Sequence, residues 1–310
     1  MVTTTNAMNL QHLKRWPFPE QEFLGRGAFG NVMRGLYCGT PVAVKELLTG
    51  KDQMSEVRRQ AKEELLKEIG ILMEFRHPNI VCMIAYDSRY IVMDMYKGNA
   101  KKLKTLDEVA VVGRDCMRGI SYMHLHGRCV IHGDIKPDNI LVNIDSKGTI
   151  YKAALGDVGL ARSCAKCMRT KGFGGTPGYM PMPNPVVDST HDIYALAVSL
   201  LDAFLGSYPG DVHTRNDEHG LEDNTTVALE QFPHQDFQKV LSDMLMSYSD
   251  GALKNNGKNK GDFVQNVIVK WENLVSRTSA PAPKITSYVS DPMHSASTPN
   301  GTSMSVETSY

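Results

Sequence analysis

A chain of 310 residues, 42% hydrophobic and 22% charged, is long enough to bury a large core and has the composition of a globular protein. Its 34 basic and 34 acidic residues cancel, which argues against bulk electrostatic binding to nucleic acid or to an anionic membrane. The longest apolar stretch, Ile193–Leu205, is interrupted by Asp202 and too short to span a bilayer, and the polar segment Met1–Arg15 has no apolar signal core.

Six scattered cysteines in a chain of this size read as reduced thiols, not as a disulfide framework, and point to an intracellular, cytoplasmic protein. Cys164-Ala-Lys-Cys167 is a lone C-x-x-C. A structural zinc site usually needs four ligands, so two thiols in a loop is the stronger reading. The sequons at Asn224 and Asn300 read as chance matches.

Residues 1–18 read as a flexible arm. Phe23-Leu24-Gly25-Arg26-Gly27-Ala28-Phe29-Gly30-Asn31-Val32 follows, with glycines at G-x-G-x-x-G spacing that let the backbone approach phosphate closely. The spacing alone fits a dinucleotide-binding fingerprint equally well. That fingerprint, however, opens a helix, whereas Val32–Tyr37 reads as a second strand. Next comes a short apolar strand, Pro41-Val42-Ala43-Val44-Lys45-Glu46. Ser55–Phe75 reads as a helix whose apolar stripe holds Leu65, Ile69, Leu72 and Met73, with Glu68 at its edge. Glu68 is either solvated or paired, because burying an unpaired charge is costly. Strands are expected near Ile80–Tyr86 and Tyr90–Met95, and an amphipathic helix over Leu106–His126, with Val109, Val112, Cys116, Ile120 and Met123 as its core stripe.

The chain is organised around Val130-Ile-His-Gly-Asp134-Ile-Lys136-Pro-Asp-Asn139-Ile-Leu-Val142, a polar loop between two strand-length apolar runs. A second isolated acid, Asp157, follows the strand Ile150–Leu155, which should pair with Ile140–Asn143. Two acids, a Lys and an amide on neighbouring strand ends suit holding Mg²⁺ and phosphate oxygens. Leu160–Gly174 has loop composition and leads to Gly175-Thr176-Pro177-Gly178-Tyr179-Met180. His191–Leu205 is apolar around most of its circumference and should be a buried helix. Asp192 in its first turn favours the helix dipole. Phe237–Met246 and Gln265–Val275 read as further helices, and 281–310, half Ser, Thr or Pro, as a disordered tail.

These motifs, in this order, resemble the eukaryotic protein kinases of the serine/threonine class. The resemblance covers about residues 20–280. It implies an α+β bilobal protein-kinase-like fold: an N-lobe over 19–96 with a small antiparallel β-sheet and one helix, and a larger, mainly α-helical C-lobe over 97–280. It implies transfer of the ATP γ-phosphoryl group to Ser or Thr hydroxyls of protein substrates, with ATP and Mg²⁺. By resemblance, Asp134 orients the acceptor hydroxyl and takes its proton, and Lys136 neutralises γ-phosphate charge. Lys45, paired with Glu68, contacts the α- and β-phosphates. Asn139 and Asp157 hold metal. The nucleotide is assigned to Gly25, Arg26, Gly27, Ala28, Phe29, Gly30, Val32, Ala43, Lys45, Met93, Asp94, Tyr96 and Leu141, with the backbone of 94–96 as the adenine hinge. Asp192 matches an Asp that braces the catalytic-loop backbone.

Three departures mark the chain. Gly133 stands where the family has Arg, Val158 where it has Phe, and Pro183 where an Ala-Pro-Glu motif has its Glu, which leaves Arg277 as a stranded partner. Without the cation at 133, activity is expected to be independent of phosphorylation in the segment after Asp157. The rival reading is a pseudokinase scaffold without turnover, but such a protein has no chemical reason to keep Lys45, Glu68, Asp134, Asn139 and Asp157 together. No membrane or nucleic-acid partner is expected, and the oligomeric state is left open.

Overall fold

The computed structural model describes residues 13–15, 23–27, 30–47, 55–87, 89–125, 127, 129–163, 170–171, 175–181, 186–206, 227–247 and 260–278. The chain divides into a unit of residues 1–278 and a second of 279–310. The tail expected over 281–310, Ala28, Phe29, the C-x-x-C and Pro183 lie outside the described residues.

The N-terminal part is an antiparallel sheet of β1 (Leu13–Arg15), β2 (Phe23–Gly27), β3 (Gly30–Tyr37), β4 (Thr40–Leu47), β5 (Met83–Tyr86) and β6 (Tyr90–Asp94), with one helix, α1 (Ser55–Glu74). The order is β1-β3-β4-β6-β5, and β2 shares the edge of β3 with β1. Strand β1 falls inside the segment expected as a flexible arm. Leu13 packs beside a small apolar cluster of Val42, Val44, Ala85 and Val92, which gives three residues of the arm a reason to pair. Strand alternation then sends Ala43 and Lys45 to the opposite face of β4.

Helix α1 has the expected stripe with one correction. Leu65, Ile69 and Leu72 are buried, but Met73 is 44% exposed and Phe75, just beyond the helix, fills the core instead. Glu68 is buried on the same face.

The second part is built on α2 (Leu106–Leu125) and α3 (Thr190–Leu205). Thr105 Oγ1 accepts the Glu108 N–H at 3.2 Å and Glu108 Oε2 accepts the Lys104 N–H at 2.6 Å, a capping-box arrangement that starts α2. All five residues of its expected stripe are fully buried. Helix α3 is buried around most of its circumference, as its sequence implies, and ends at Gly206, whose N–H reaches Asp202 O. Helices α4 (Gln235–Met246) and α5 (Lys260–Thr278) complete the core. Trp271 of α5 lies so close to α2 that a Cβ at Gly113 would sit 2.8 Å from its ring.

Between the two parts run short strands. β7 (Gly98–Asn99), β9 (Ile140–Ile144) and β10 (Ile150–Leu155) form one antiparallel sheet, and β8 (Val130–Ile131) pairs with β11 (Arg162–Ser163). The Val81 N–H bonds Leu155 O at 2.8 Å and the Leu155 N–H bonds Asn79 O at 2.9 Å. One apolar cluster runs from Leu65 and Leu72 of α1 through Val158 to α2, α3 and α5. This is the α+β, two-lobed architecture expected, with a curled antiparallel sheet in one lobe and helices in the other. No helix among the described residues is long and apolar enough to cross a membrane.

Candidate functional site

A cleft of about 540 Å³ opens between the sheet and the helical part. Its lining includes Gly25, Val32, Ala43, Lys45, Glu68, Met93, Asp94, Tyr96, Asn139, Leu141 and Asp157, all singled out from sequence. Gly30 is buried in the ladder opposite Gly27 and is not among the described lining residues. Arg26 pairs with Asn31 through its backbone, and its side chain is not described.

Strand β4 and helix α1 bring Lys45 and Glu68 together. Lys45 Nζ lies 2.7 Å from both Glu68 oxygens and 2.8 Å from Asp157 Oδ1. Burial by itself would push the Lys45 amine down, but Glu68 and Asp157 outweigh it and hold it above its ordinary value. Burial pushes the Glu68 carboxyl up against the pull of Lys45. Asp157 is also opposed by burial, yet Lys45 leads the forces that hold it below the usual carboxylate range. Asp157 has φ +51°, a left-handed conformation uncommon for a side-chain-bearing residue. Strain of this kind persists where surrounding structure over-determines it. Here the ion pair to Lys45 and the burial of Val158 on the next residue do so. Val158 is fully buried in the apolar slot where the family has Phe.

The loop between β8 and β9 carries the second cluster. Asp134 Oδ1 accepts the Thr176 N–H at 3.0 Å and the Thr176 hydroxyl at 2.6 Å, while Lys136 Nζ lies 3.0 Å from Asp134 Oδ2. Lys136 also donates to Thr176 Oγ1 at 2.7 Å. Asn139 Nδ2 donates to Asp134 O at 2.8 Å and to Asp134 Oδ2 at 2.9 Å, which turns its carbonyl oxygen away from Asp134. A lysine, an amide and a threonine thus fix one carboxylate, whose two oxygens are both engaged.

The backbone beneath this loop is braced from α3. Asp192 Oδ2 accepts the His132 N–H and Oδ1 the Gly133 N–H, each at 2.9 Å, and His124 Nε2 lies 2.8 Å from Oδ2. Burial opposes the Asp192 charge, and the His124 hydrogen bond is foremost among the contacts that hold its carboxyl low. The bracing read from the resemblance is therefore present as geometry, and the helix-dipole reading alone does not account for it. His132 Nε2 lies 2.9 Å from Gly156 O. A carbonyl only accepts, so this nitrogen carries the proton and Nδ1 accepts the Asp134 N–H at 3.3 Å. Gly133 has φ +78°, where a residue with a Cβ is strained.

Several residues of the site went unread in the sequence. His124 lies on the α2 face that periodicity assigns to packing, and its polar role appears only once α3 is beside it. Lys97, Gly98, Asn99, Lys101 and Asp138 line the cleft mouth because β7 pairs with β9. No local signal marks a two-residue strand. Arg277 is not stranded: its guanidinium lies 2.7 Å from Asp236 on α4, and both groups are exposed, so the pair adds little stability. The segment around Thr176 is tied to α3 another way, by the Tyr179 hydroxyl donating to Asp202 Oδ2 at 2.7 Å.

A family model described as "Protein kinase domain" matches residues 18–274. The chain is 32% identical over 207 residues to serine/threonine-protein kinase WNK of Caenorhabditis elegans, 61% of this chain and 11% of that protein. It is 32% identical over 216 residues to the putative L-type lectin-domain containing receptor kinase V.2 of Arabidopsis thaliana, 62% of this chain and 31% of that protein. It is 31% identical over 206 residues to the probable serine/threonine-protein kinase drkD of Dictyostelium discoideum, 60% of this chain and 15% of that protein. The chain spans less than a third of the length of each of these three relatives.

Proposed function

The chain belongs to the protein kinase family, and from that premise we propose that it is an active serine/threonine kinase that phosphorylates protein substrates from ATP. The observation that carries the reading is the network of buried Lys45 and Glu68 with the partly exposed Asp157 on the cleft wall. Taking the Lys45–Glu68 pair out of water is costly, and positioning phosphates gives it a chemical use. The contacts of Thr176 with both Asp134 and Lys136 favour Ser or Thr acceptors, held on the segment that follows.

In this reading Lys45, held in place by Glu68, binds the inner phosphates. The Asp94 N–H is spent on Cys82 O and the Lys97 N–H on Val142 O, which leaves the Met95 and Tyr96 amides to serve as hinge donors. Asp157 and the outward carbonyl of Asn139 offer the hard oxygens that suit Mg²⁺. Among the described residues no three His, Cys, Asp or Glu side chains form an all-protein metal cage, which fits an ion that keeps phosphate oxygens as partners. Bound Mg²⁺ would supply charge neutralisation between the phosphates. Asp134 orients the acceptor hydroxyl and takes its proton, while Lys136 offsets charge that develops on the transferred phosphoryl oxygens. Gly133 leaves no cation there to read a phosphate, so Ser163→Ala and Thr170→Ala should retain activity.

The test is phosphate transfer from labelled ATP to a generic basic protein. Asp134→Asn should abolish transfer and keep nucleotide binding, whereas Lys45→Met should weaken both. Transfer that survives both changes sinks the assignment. Nucleotide binding without transfer in the unaltered chain favours the scaffold reading.

A further inference from the structure

Two features of the chain stand outside the reading above. Cys129 is disulfide-bonded, against the expectation of six reduced thiols, and its partner lies outside the described residues. The other feature lies wholly among the described residues. A chain with balanced charge places Lys97, Lys101, Lys102 and Lys104 within eight positions, with no acid among them. All four are exposed. The acids nearest in the chain are Asp94 on one side and Asp107 on the other. Lys152 of β10 adds a cation above the Tyr96 ring, 5.7 Å from its centroid.

The backbone that carries these lysines is fixed to the catalytic loop. Pairing of β7 with β9 sets Gly98 opposite Val142 and Asn99 opposite Leu141. The Lys97 N–H bonds Val142 O at 3.0 Å, and the Ala100 N–H bonds Ile140 O at 2.8 Å and Pro137 O at 3.2 Å. Asn99 Oδ1 accepts the Lys101 N–H at 3.3 Å. The Leu103 N–H reaches Ala203 O of α3 at 2.9 Å, and Ala100 and Leu103 are buried. Buried anchors thus alternate with exposed lysines, and the strip holds its cations in place beside residues 137–140. Lys101 Nζ lies 2.5 Å from Asp138 Oδ1, with the two side chains 59% and 50% exposed. Such a pair adds little stability. Its effect is on the local field, because it neutralises the acid that stands four residues after Asp134. Lys97, Lys102 and Lys104 have no ion-pair partner among the described residues. Four residues of chain span at most about 14 Å, so Asp138 and the cation on it lie within about four extended peptide residues of Asp134.

We propose that this strip, with Lys101 and Lys102 at its centre, selects protein substrates that carry Asp or Glu within about four residues of the acceptor hydroxyl. The proposal rests on the kinase reading above and names the substrate class for it. Carboxylates of the peptide join the unpaired lysines beside the catalytic loop, and the field of the strip raises the local concentration of acidic peptides. A basic peptide meets like charge at the same place and is repelled.

The full chain would be assayed with three synthetic peptides, each with one acceptor Ser: one with Glu within four residues before it, one with Glu within four residues after it, and one with Lys at both places. One of the acidic peptides should show a kcat/KM at least about fivefold above that of the basic peptide, and the ratio should shrink as salt rises. Lys101→Ala should cut the ratio by up to about fivefold, and Lys101→Glu with Lys102→Glu should invert it. Asp138→Asn separates selection from bracing. It breaks the same ion pair yet should keep or enlarge the acidic preference, whereas a strip that only braces the loop loses the preference in both single variants. A fluorescent acidic peptide with Ala in place of the acceptor Ser reads binding by anisotropy without turnover, and should bind the native chain but not the doubly reversed one. Equal kcat/KM for acidic and basic peptides, or a preference that survives the double reversal, overturns the proposal. Sedimentation with phosphatidylserine vesicles that is lost on the double reversal, with no peptide preference, assigns the strip to a membrane surface instead. Absence of transfer to every peptide defeats the kinase reading, while anisotropy still decides the strip.

Discussion

Replacing Lys45 by Met removes the cation from a site where one carboxylate is almost wholly out of water. Lys45 and Glu68 are 3% and 1% exposed, and the amine touches both Glu68 oxygens. Removing one partner of a buried pair costs about 3–5 kcal/mol when the other charge stays in place. Glu68 has a way to lower that cost. Burial already pushes its carboxyl up, and Lys45 is the leading force in the other direction. Without Lys45, Glu68 should hold a proton well above the ordinary carboxyl value of about 4.3. A carboxyl raised in the folded state binds more protons folded than unfolded. The variant is therefore most stable below that ordinary value and weakens as pH rises through the raised one, by up to about 1.4 kcal/mol per pH unit. In the unaltered protein the slope from Glu68 has the same sign but is smaller, because Lys45 pulls the raised carboxyl back down. Urea melts at about pH 5 and about pH 8, either side of the expected window, should show the Lys45→Met deficit growing with pH. Lys45→Met with Glu68→Leu should recover much of the loss at the higher pH, since apolar replacement of a whole buried pair is often neutral. Asp157, whose side chain is 26% exposed, can still meet water. A deficit independent of pH, or a double variant weaker than the single one, refutes the reasoning. Because stability is measured without substrate, the outcome does not depend on activity.

Asp192→Asn exchanges a carboxylate oxygen for an amide nitrogen that cannot accept, which leaves a buried loop N–H unpaired at a cost of about 1–3 kcal/mol. Asp192 is held low, so its contribution is present above the ordinary carboxyl value and lost as pH falls through the depressed one. The gap between native and variant urea midpoints should accordingly narrow in acid. Gly113→Ala puts a Cβ 2.8 Å from the Trp271 ring; overpacking of about 1–3 kcal/mol should lower the melting temperature by roughly 2–4 °C per kcal/mol, read by calorimetry. Tyr179→Phe frees Asp202 from its 2.7 Å partner. Steady-state kinetics should show a higher KM for protein substrate with the KM for ATP unchanged, and equal shifts in both would contradict a role confined to the segment around Thr176.

Much of the fold was legible because its signals are local and periodic. Helices α2 and α3 declare themselves by spacing: the five stripe residues of α2 are all fully buried, and α3 is apolar nearly all round. The exposed Met73 shows the limit of that argument. Periodicity places a residue within one turn of the right face, and the neighbour that covers it decides the rest. Strand β1 was missed for a similar reason. Three residues with one apolar side chain carry no pattern, and Leu13 becomes ordered only against Val42, Val44 and their neighbours. Arg277 was misjudged because a missing Glu implied an empty partner, whereas Asp236 comes within reach only after α4 and α5 pack.

By itself the sequence determined the inventory: a glycine turn between strands, Lys45 on a strand, Glu68 on a helix, and Asp134, Asn139 and Asp157 at strand ends. Those residue types at those spacings suffice because each sits beside a local element with a readable period. The tertiary structure alone decided who touches whom. It set Lys45 between two carboxylates from distant parts of the chain, engaged both oxygens of Asp134 with Thr176, Lys136 and Asn139, and turned Asp192 from a charge on the helix dipole into the brace of the loop through His132 and Gly133. Hydrogen bonds and ion pairs act over about 3 Å, whereas these partners are separated by as many as 112 positions in the chain. No local pattern encodes such a meeting, and only packing of the two lobes brings it about.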